Sequence, residues 1–243
     1  MIEGEKLGSF WGYTFAGVWQ EDDVNAPFVD ANGQTNGKTN GEVYKVKPGN
    51  SKYVDVNKDG VYNDADQGII GCGQPTFNWG WNNTFNYKNF DFSFFVVGFH
   101  GFDIYNATHQ MGYNLIKSQQ MAGVTPMREL LNRWTPTNTN TDIPGFVKGG
   151  TENKDFFSTR FVENGSFIKM KSITLGYTLP EAPCRSLGIN NLRVYASVQN
   201  PFHITKYSGL DPEATMGSPL VQGVDWGAYP NSRNYLIGLN FSF

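Results

Sequence analysis

The chain has 243 residues, a formal net charge of -3, a pI near 5.6 and a mean hydropathy of -0.42. It carries no basic surplus and no Lys/Arg cluster to track a phosphate backbone, which argues against nucleic acid as a partner. No run approaches the roughly 18 apolar residues of a membrane-spanning helix, so any membrane role has to come through alternating strands. With 28 Gly, 12 Pro and 15% aromatic residues the chain favours strands and turns, and an all-β fold is expected.

Residues 1–75 precede the first strongly periodic segment. Their opening Met-Ile-Glu-Gly-Glu-Lys lacks the basic and apolar regions of a signal peptide, so either the protein is not exported or the chain is a fragment of one that is. The stretch 30–41, rich in Asn, Gly and Thr, is the most linker-like and is expected to be a mobile loop tip. Next comes Asp55-Val-Asn57-Lys-Asp59-Gly60-Val61-Tyr-Asn63-Asp64-Ala-Asp66. Asp55, Asn57, Asp59, Asn63 and Asp66, with the carbonyl of Val61, have the spacing of a calcium loop, and Gly60 permits the sharp turn that gathers them round one hard cation. The flanks look extended, so an EF-hand is not expected. The competing reading is a turn that satisfies its own backbone.

Five later segments alternate with period two, the signature of a strand with unlike faces. The first, about 76–87, sets Phe77, Trp79, Trp81, Phe85 and Tyr87 against Asn78, Gly80, Asn82, Thr84 and Asn86, with Asn83 alone breaking the apolar side. After a two-residue turn at Lys88-Asn89 the second sets Phe90, Phe92, Phe94 and Val96 against Asp91 and Ser93, then becomes apolar on both sides. The third, about 167–179, sets Ile173, Leu175, Tyr177 and Leu179 against Ser172, Thr174, Gly176 and Thr178, with Lys169 and Lys171 extending its outward side. The fourth sets Leu192, Val194, Ala196 and Val198 against Arg193, Tyr195, Ser197 and Gln199. The fifth closes the chain with Tyr235, Ile237, Leu239, Phe241 and Phe243 opposite Gly238, Asn240 and Ser242.

Apolar toward lipid and polar toward a lumen is the pattern of a transmembrane antiparallel β-barrel. It assigns Trp79, Trp81, Phe92, Phe94, Leu175, Tyr177, Val194, Leu239, Phe241 and Phe243 to lipid. It assigns Asn78, Asn82, Asn86, Arg193, Tyr195 and Gln199 to the lumen. Aromatics at strand ends suit membrane girdles. The connections agree: turns at 88–89 and about 180–191 alternate with long excursions at about 1–75, 100–166 and 201–233, as short periplasmic turns alternate with long extracellular loops. Two regions follow, an extracellular loop region at 1–75 and barrel strands with their loops at 76–243. Within the loops, 106–122 is expected to be helical, and Thr125-Pro126 to cap a short helix over Met127–Trp134 that Thr135-Pro136 stops.

Cys72 and Cys184 fall at opposite ends of this barrel, too far apart for a disulfide, so two free thiols are expected. The three histidines, His100, His109 and His203, have no metal-ligand spacing, and no Gly-x-Ser-x-Gly elbow points to a hydrolase. Enzymatic chemistry is not expected. Loop aromatics Trp11, Tyr13, Trp19, Tyr113, Trp134 and Trp226 suit either stacking on sugars or partners, or packing of loops on one another.

Tyr53-Val-Asp55 through Asp66-Gln-Gly-Ile69-Ile70-Gly71, then Gln74-Pro75-Thr-Phe77-Asn-Trp-Gly80 through Phe85 and Phe90-Asp91-Phe92, resembles the carboxyl-terminal part of SusC/RagA-type TonB-linked outer-membrane proteins. So do Gly8-Ser-Phe-Trp11-Gly12, Gly101-Phe-Asp103-Ile-Tyr105-Asn106 and Phe161-Val-Glu-Asn164-Gly-Ser166-Phe-Ile168-Lys169, in the family's order. The resemblance implies a plugged barrel of about 22 strands, here represented by about five, that imports oligosaccharides or peptides. It also implies TonB as energy source and a SusD-like lipoprotein over the mouth. The chain lacks the family's plug, TonB-gripping segment and leader, so it is expected not to transport alone, and its two unpaired sheet edges to aggregate in water. A secreted calcium-dependent carbohydrate-binding β-sandwich would share the alternating strands, calcium loop and aromatics.

Overall fold

The computed structural model describes residues 3–113, 126–146, 156–186, 188–213 and 222–242. Phe243, Thr125 and residues 114–122 of the expected long helix lie outside them. The five periodic segments form one antiparallel sheet, of strands Phe77–Tyr87, Phe90–His100, Phe167–Thr178, Asn191–Gln199 and Asn234–Ser242, each paired with its neighbour in the chain. An 11-residue strand such as the first rises roughly 36 Å, and at barrel tilt it spans a band of about 25 Å. The first and fifth strands are the free edges.

At the turn end, the first two strands join through Lys88, in the left-handed region at φ 52°, and the third and fourth through a segment holding the helix Glu181–Ser186. Leu179 N–H donates to Leu192 O and Asn190 N–H to Ser242 O, so this connection hydrogen-bonds onto the fourth and fifth strands. The long connections gather at the opposite end. There, short ribbons pair Ser9–Tyr13 with Gln67–Cys72, Phe15–Val18 with Ser51–Tyr53, and Asp103–Asn106 with both Val162–Asn164 and Val224–Asp225. Phe10, Tyr105, Ala107, Phe161 and Val224 form their core, so residues from all three long connections pack into one loop unit.

A second core joins that unit to the sheet. Phe102, Ile104 and Tyr207 close on Phe167, with Phe99 packed against them. Cross-strand pairing puts Phe99 and Phe167 on the same face as Asn78. This explains why the second strand turns apolar on both sides: Phe95, Val97 and Phe99 occupy the polar face where the loops descend onto it. Among the described residues no second sheet lies on the opposite face, and Trp81 is 56%, Leu239 60% and Ile237 85% exposed. The sandwich reading is therefore overturned, because its rings would lie between two layers.

The third strand corrects another expectation. Pairing with the second strand shifts between Met170 and Ser172, leaving Lys171 as an extra residue. Such a bulge reverses which way side chains point beyond it. Lys169 therefore pairs with Val97 and shares the polar face, and both lysines turn to carboxylates of the last loop rather than outward. The fourth strand makes the matching break: Asn200, at φ 50°, donates N–H to Lys171 O at 2.9 Å, and the chain pairs again through His203–Thr205.

The loops add detail in two places and differ from expectation in a third. In residues 30–41 the turn chemistry is local: Pro27–Val29 pairs with Thr35–Thr39, and Asp30 Oδ1 accepts from the N–H of Asn32 and Gln34. Thr39 and Glu42 then form a capping box on the helix Asn40–Tyr44. The helix expected from 106 is described over Ala107–Tyr113. Around 127–134 the chain makes a 3-10 turn, Arg128–Asn132, in place of the expected α-helix, with no side-chain cap at Met127.

Candidate functional site

Antiparallel pairing lines the polar residues up in rows that cross the sheet. One row runs Asn86, Asp91, Gly176, Tyr195, Gly238; the next runs Thr84, Ser93, Thr174, Ser197, Leu236; a third runs Asn82, Phe95, Ser172, Gln199, Asn234. The hydroxyls of Thr174 and Ser197 lie 2.8 Å apart, and Asn234 Nδ2 donates to Gln199 Oε1 at 3.3 Å. Of the expected lumen residues, Asn82, Asn86, Tyr195 and Gln199 fall in these rows. Asn78 pairs with Phe99 near the loops, and Arg193 pairs with Thr178 and Asn240 toward the turn end.

Arg193 reaches back over this surface. Its Nε donates to Asp91 Oδ1 at 2.8 Å and its Nη2 to Asp91 Oδ2, a two-point pair joining the second and fourth strands across the third. Gly176 makes the crossing possible, since a Cβ there would overlap the carboxylate and the guanidinium. Gly238 does the same for Tyr195, whose ring lies where its Cβ would stand, and Arg193 lies 5.0 Å from the centre of that ring. Two glycines thus let three large polar side chains lie flat on the sheet.

The opposite face is a continuous field of rings and branched aliphatics. Trp79, Trp81, Phe92, Phe94, Leu175, Tyr177, Val194, Leu239 and Phe241 all share it. At the turn end Tyr87, Phe90 and Tyr177 make an aromatic row, with Phe90 and Tyr177 centred 4.7 Å apart. At the loop end Trp79 Nε1 donates to His100 Nε2 at 3.1 Å.

A charged cluster fastens the last loop to the polar face. Lys169, 2% exposed, places Nζ 2.9 Å from Asp211 Oδ2 and 2.7 Å from Glu213 Oε2, and Lys171 pairs with Glu213 Oε1. Asn231 adds N–H and Nδ2 donors to Asp211 Oδ2. Burial pushes both carboxyls up, but hydrogen bonds from the lysines and, for Asp211, from the N–H of Asn231 and Glu213 outweigh it and hold both below the ordinary carboxylate range.

In the loop Asp55–Asp66, Asp55 Oδ2 accepts from Gly60 N–H and the Tyr44 hydroxyl, each at 2.8 Å, and Asp59 Oδ1 accepts from Val61 N–H at 2.8 Å. Asp66 accepts from the N–H of Val56 and Asn63, and Asn63 Oδ1 accepts from Ala65 N–H. Asn57 and Asn63 both turn Nδ2 to Asp59 Oδ2, so most donors are engaged within the loop. Asp55 Oδ1 is the exception, buried with no hydrogen-bond partner, which is the position a cation would fill. Asp59 gains too little from burial to offset its hydrogen bonds from Val61, Asn57 and Asn63, and its pKa is lowered. Among the described residues no three His, Cys, Asp or Glu side chains form a metal-holding group, so a cation here would depend on Asn and carbonyl oxygens.

No protein-family model matches the chain. Over 247 residues, 99% of its length, it is 35% identical to TonB-dependent receptor P3 of Formosa agariphila, and it is 30% identical over its whole length to TonB-dependent receptor P26 of the same organism. Over 81% of its length it is 31% identical to TonB-dependent receptor SusC of Bacteroides thetaiotaomicron. The chain belongs to the TonB-dependent receptors. It spans 22%, 23% and 18% of those three proteins, under a quarter of each. Its backbone matches the RagAB peptide importer in the open-open state with a TM-score of 0.69 at 23% identity, covering 97% of this chain and 22% of that one. The RagAB peptide transporter gives 0.69 at 24% identity over 100% of this chain and 24% of that one. These two likenesses establish the fold, strands of a TonB-dependent transporter barrel.

Receptors of this family are outer-membrane barrel proteins and not enzymes. Within this receptor chain, sequence reasoning missed Asp91 as the partner of Arg193, and the cluster of Lys169, Asp211, Glu213 and Asn231. A lone arginine on a polar strand face signalled that an acid stood nearby, but naming it required the register. Of the loop aromatics, Tyr13 and Trp19 are 6% and 3% exposed, so packing claims them; Trp11 and Trp226 remain exposed. Cys72 and Cys184 are both free, as expected.

Proposed function

We propose that the chain is the carboxyl-terminal barrel segment of a SusC/RagA-type transporter that imports oligosaccharides or peptides across the outer membrane. A SusD-like lipoprotein would cover the loop end, and TonB would act through the rest of the receptor. The observation that carries this reading is the two-faced single sheet: a ring face open along its whole length, and a polar face of amides and hydroxyls over which the long loops fold. The ring face suits acyl chains and the polar face a wet lumen. Residues 1–75, 100–166 and 201–233 then form the outer mouth, and 76–243 supply five staves of a barrel of about 22 strands. Transport in this reading is binding followed by a gated conformational change, with no covalent step.

The test uses the full-length receptor that contains this chain. Its deletion should abolish growth on one class of solute, glycan or peptide, and loss of TonB should give the same defect. A tagged receptor should retain a lipoprotein during detergent purification. Growth unaffected on every glycan and peptide offered would overturn the reading.

We also propose that Asp55, Asn57, Asp59, Val61 O, Asn63 and Asp66 hold Ca²⁺ in the loop unit, stiffening it without taking part in transport. The unpaired Asp55 Oδ1 supports this. Terbium, used as a calcium probe, should luminesce on the full-length receptor and be displaced by excess calcium. Asp55→Asn should remove the signal, and unchanged luminescence in that variant would exclude the site.

A further inference from the structure

Among the described residues, the charges on the polar face of the five strands are few. Lys169 is occupied by Asp211 and Glu213, and Lys171 at the bulge by Glu213. Asp91 and Arg193 occupy one another, both about a quarter exposed to solvent. All other polar residues in the rows are amides, hydroxyls and Tyr195. The wall is thus electrically quiet only because each ion on it is answered, and Arg193 is answered by a residue two strands away.

We propose that Asp91 is a specificity-determining residue. By clamping Arg193 over Gly176, it removes a fixed positive charge from the wall, so that the path takes uncharged, hydrogen-bonding solutes and gives anions no foothold. The proposal rests on the reading of the polar face as the lumen. The geometry favours masking over simple bracing. A brace between adjacent strands needs no charge and no glycine, whereas this pair spans three strands, lies flat, and needs Gly176 beneath it and the Tyr195 ring beside the guanidinium. The guanidinium keeps donors beyond the two spent on Asp91, so it still hydrogen-bonds to neutral carbonyl or hydroxyl oxygen. What it loses is its unbalanced charge.

Thr178 and Asn240 flank Arg193 on the neighbouring strands of the same face and serve as reporters. In full-length receptor with Cys72→Ser and Cys184→Ala, Thr178→Cys or Asn240→Cys is labelled with two methanethiosulfonate reagents of similar size, one carrying a sulfonate and one a trimethylammonium. The ratio of anionic to cationic rate is the readout. Asp91→Asn should raise it about tenfold to thirtyfold, since one unit charge roughly 4–6 Å away in water changes the two rates about threefold to fivefold each in opposite directions. Asp91→Asn with Arg193→Gln should restore it. Arg193→Gln alone, which exposes Asp91 instead, should lower it, and this variant decides the matter if Asp91→Asn does not assemble. Labelling at an unchanged ratio in the single variants overturns the masking proposal and leaves the lumen reading intact. No labelling by either reagent at both positions overturns the lumen reading itself, and the proposal with it.

Discussion

Gly176 and Gly238 show how a single hydrogen in place of a methyl group decides the shape of a surface. Neither is at a turn; each sits within a strand beneath a large neighbour that fills the space over its Cα. Gly238→Ala should push Tyr195 off the sheet and cost about 1–3 kcal/mol, the usual penalty for overpacking. The midpoint of denaturant unfolding of the folded receptor in detergent measures it. Lys169→Met tests the buried cluster in the opposite sense, keeping the chain's bulk while removing the cation. Asp211, 4% exposed, would be left as a carboxylate without its main partner, at a cost of about 3–5 kcal/mol.

The same cluster sets a pH dependence. The folded-state pKa values of Asp211 and Glu213 lie below their unfolded values, near 4. Their contribution is therefore full above about pH 5 and is lost as pH falls through the lowered folded values. Hydrogen exchange across 206–213 and 222–233 in the full-length receptor should accelerate below about pH 4 beyond its intrinsic rate, and a profile unchanged down to pH 3 would contradict the assignment. These residue-level features were only half legible in the sequence. Arg193 was readable as an inward cation, but Asp91 lies 102 positions away, and only the register makes them partners.

At the scale of elements, alternation located all five strands to within about a residue, because a sheet with one mainly apolar and one mainly polar face imposes a period of two on each strand that builds it. What alternation missed is the bulge. Lys171 inserts one residue without disturbing the apolar count, and so hides the reversal that brings Lys169 and Phe167 onto the polar face. Deleting Lys171 should restore unbroken pairing with the second strand and leave Lys169 and Phe167 on the polar face, but it removes the carbonyl that Asn200 N–H uses at the matching break in the fourth strand. Folded receptor, scored by heat-modifiable mobility in gels, should fall severalfold relative to Lys171→Ala, which keeps the extra residue. In the linker-like stretch 30–41, whose composition is rich in turn-forming residues, Asp30 and the Thr39–Glu42 box satisfy the backbone locally.

At the scale of the molecule, the ring face makes the strongest demand, since among the described residues no second layer covers its exposed rings and aliphatics. If acyl chains cover it, Trp81→Arg near mid-strand should destabilise the folded barrel by about 2–4 kcal/mol, while an Asn82→Arg change on the other face should cost far less. Equal costs at the two positions, measured by unfolding in lipid vesicles, would contradict the assignment of faces.

Sequence by itself determined the class of fold, the five strands, their two faces and the alternation of short and long connections, because each follows from local chemistry: period-two alternation, turn residues and the spacing between them. Tertiary structure decided which charges meet, which glycines lie under large side chains, where the bulge reverses a face, and that three distant loops share one core. Those depend on register and closure between residues far apart in the chain, 102 positions for Asp91 and Arg193, which no local pattern encodes.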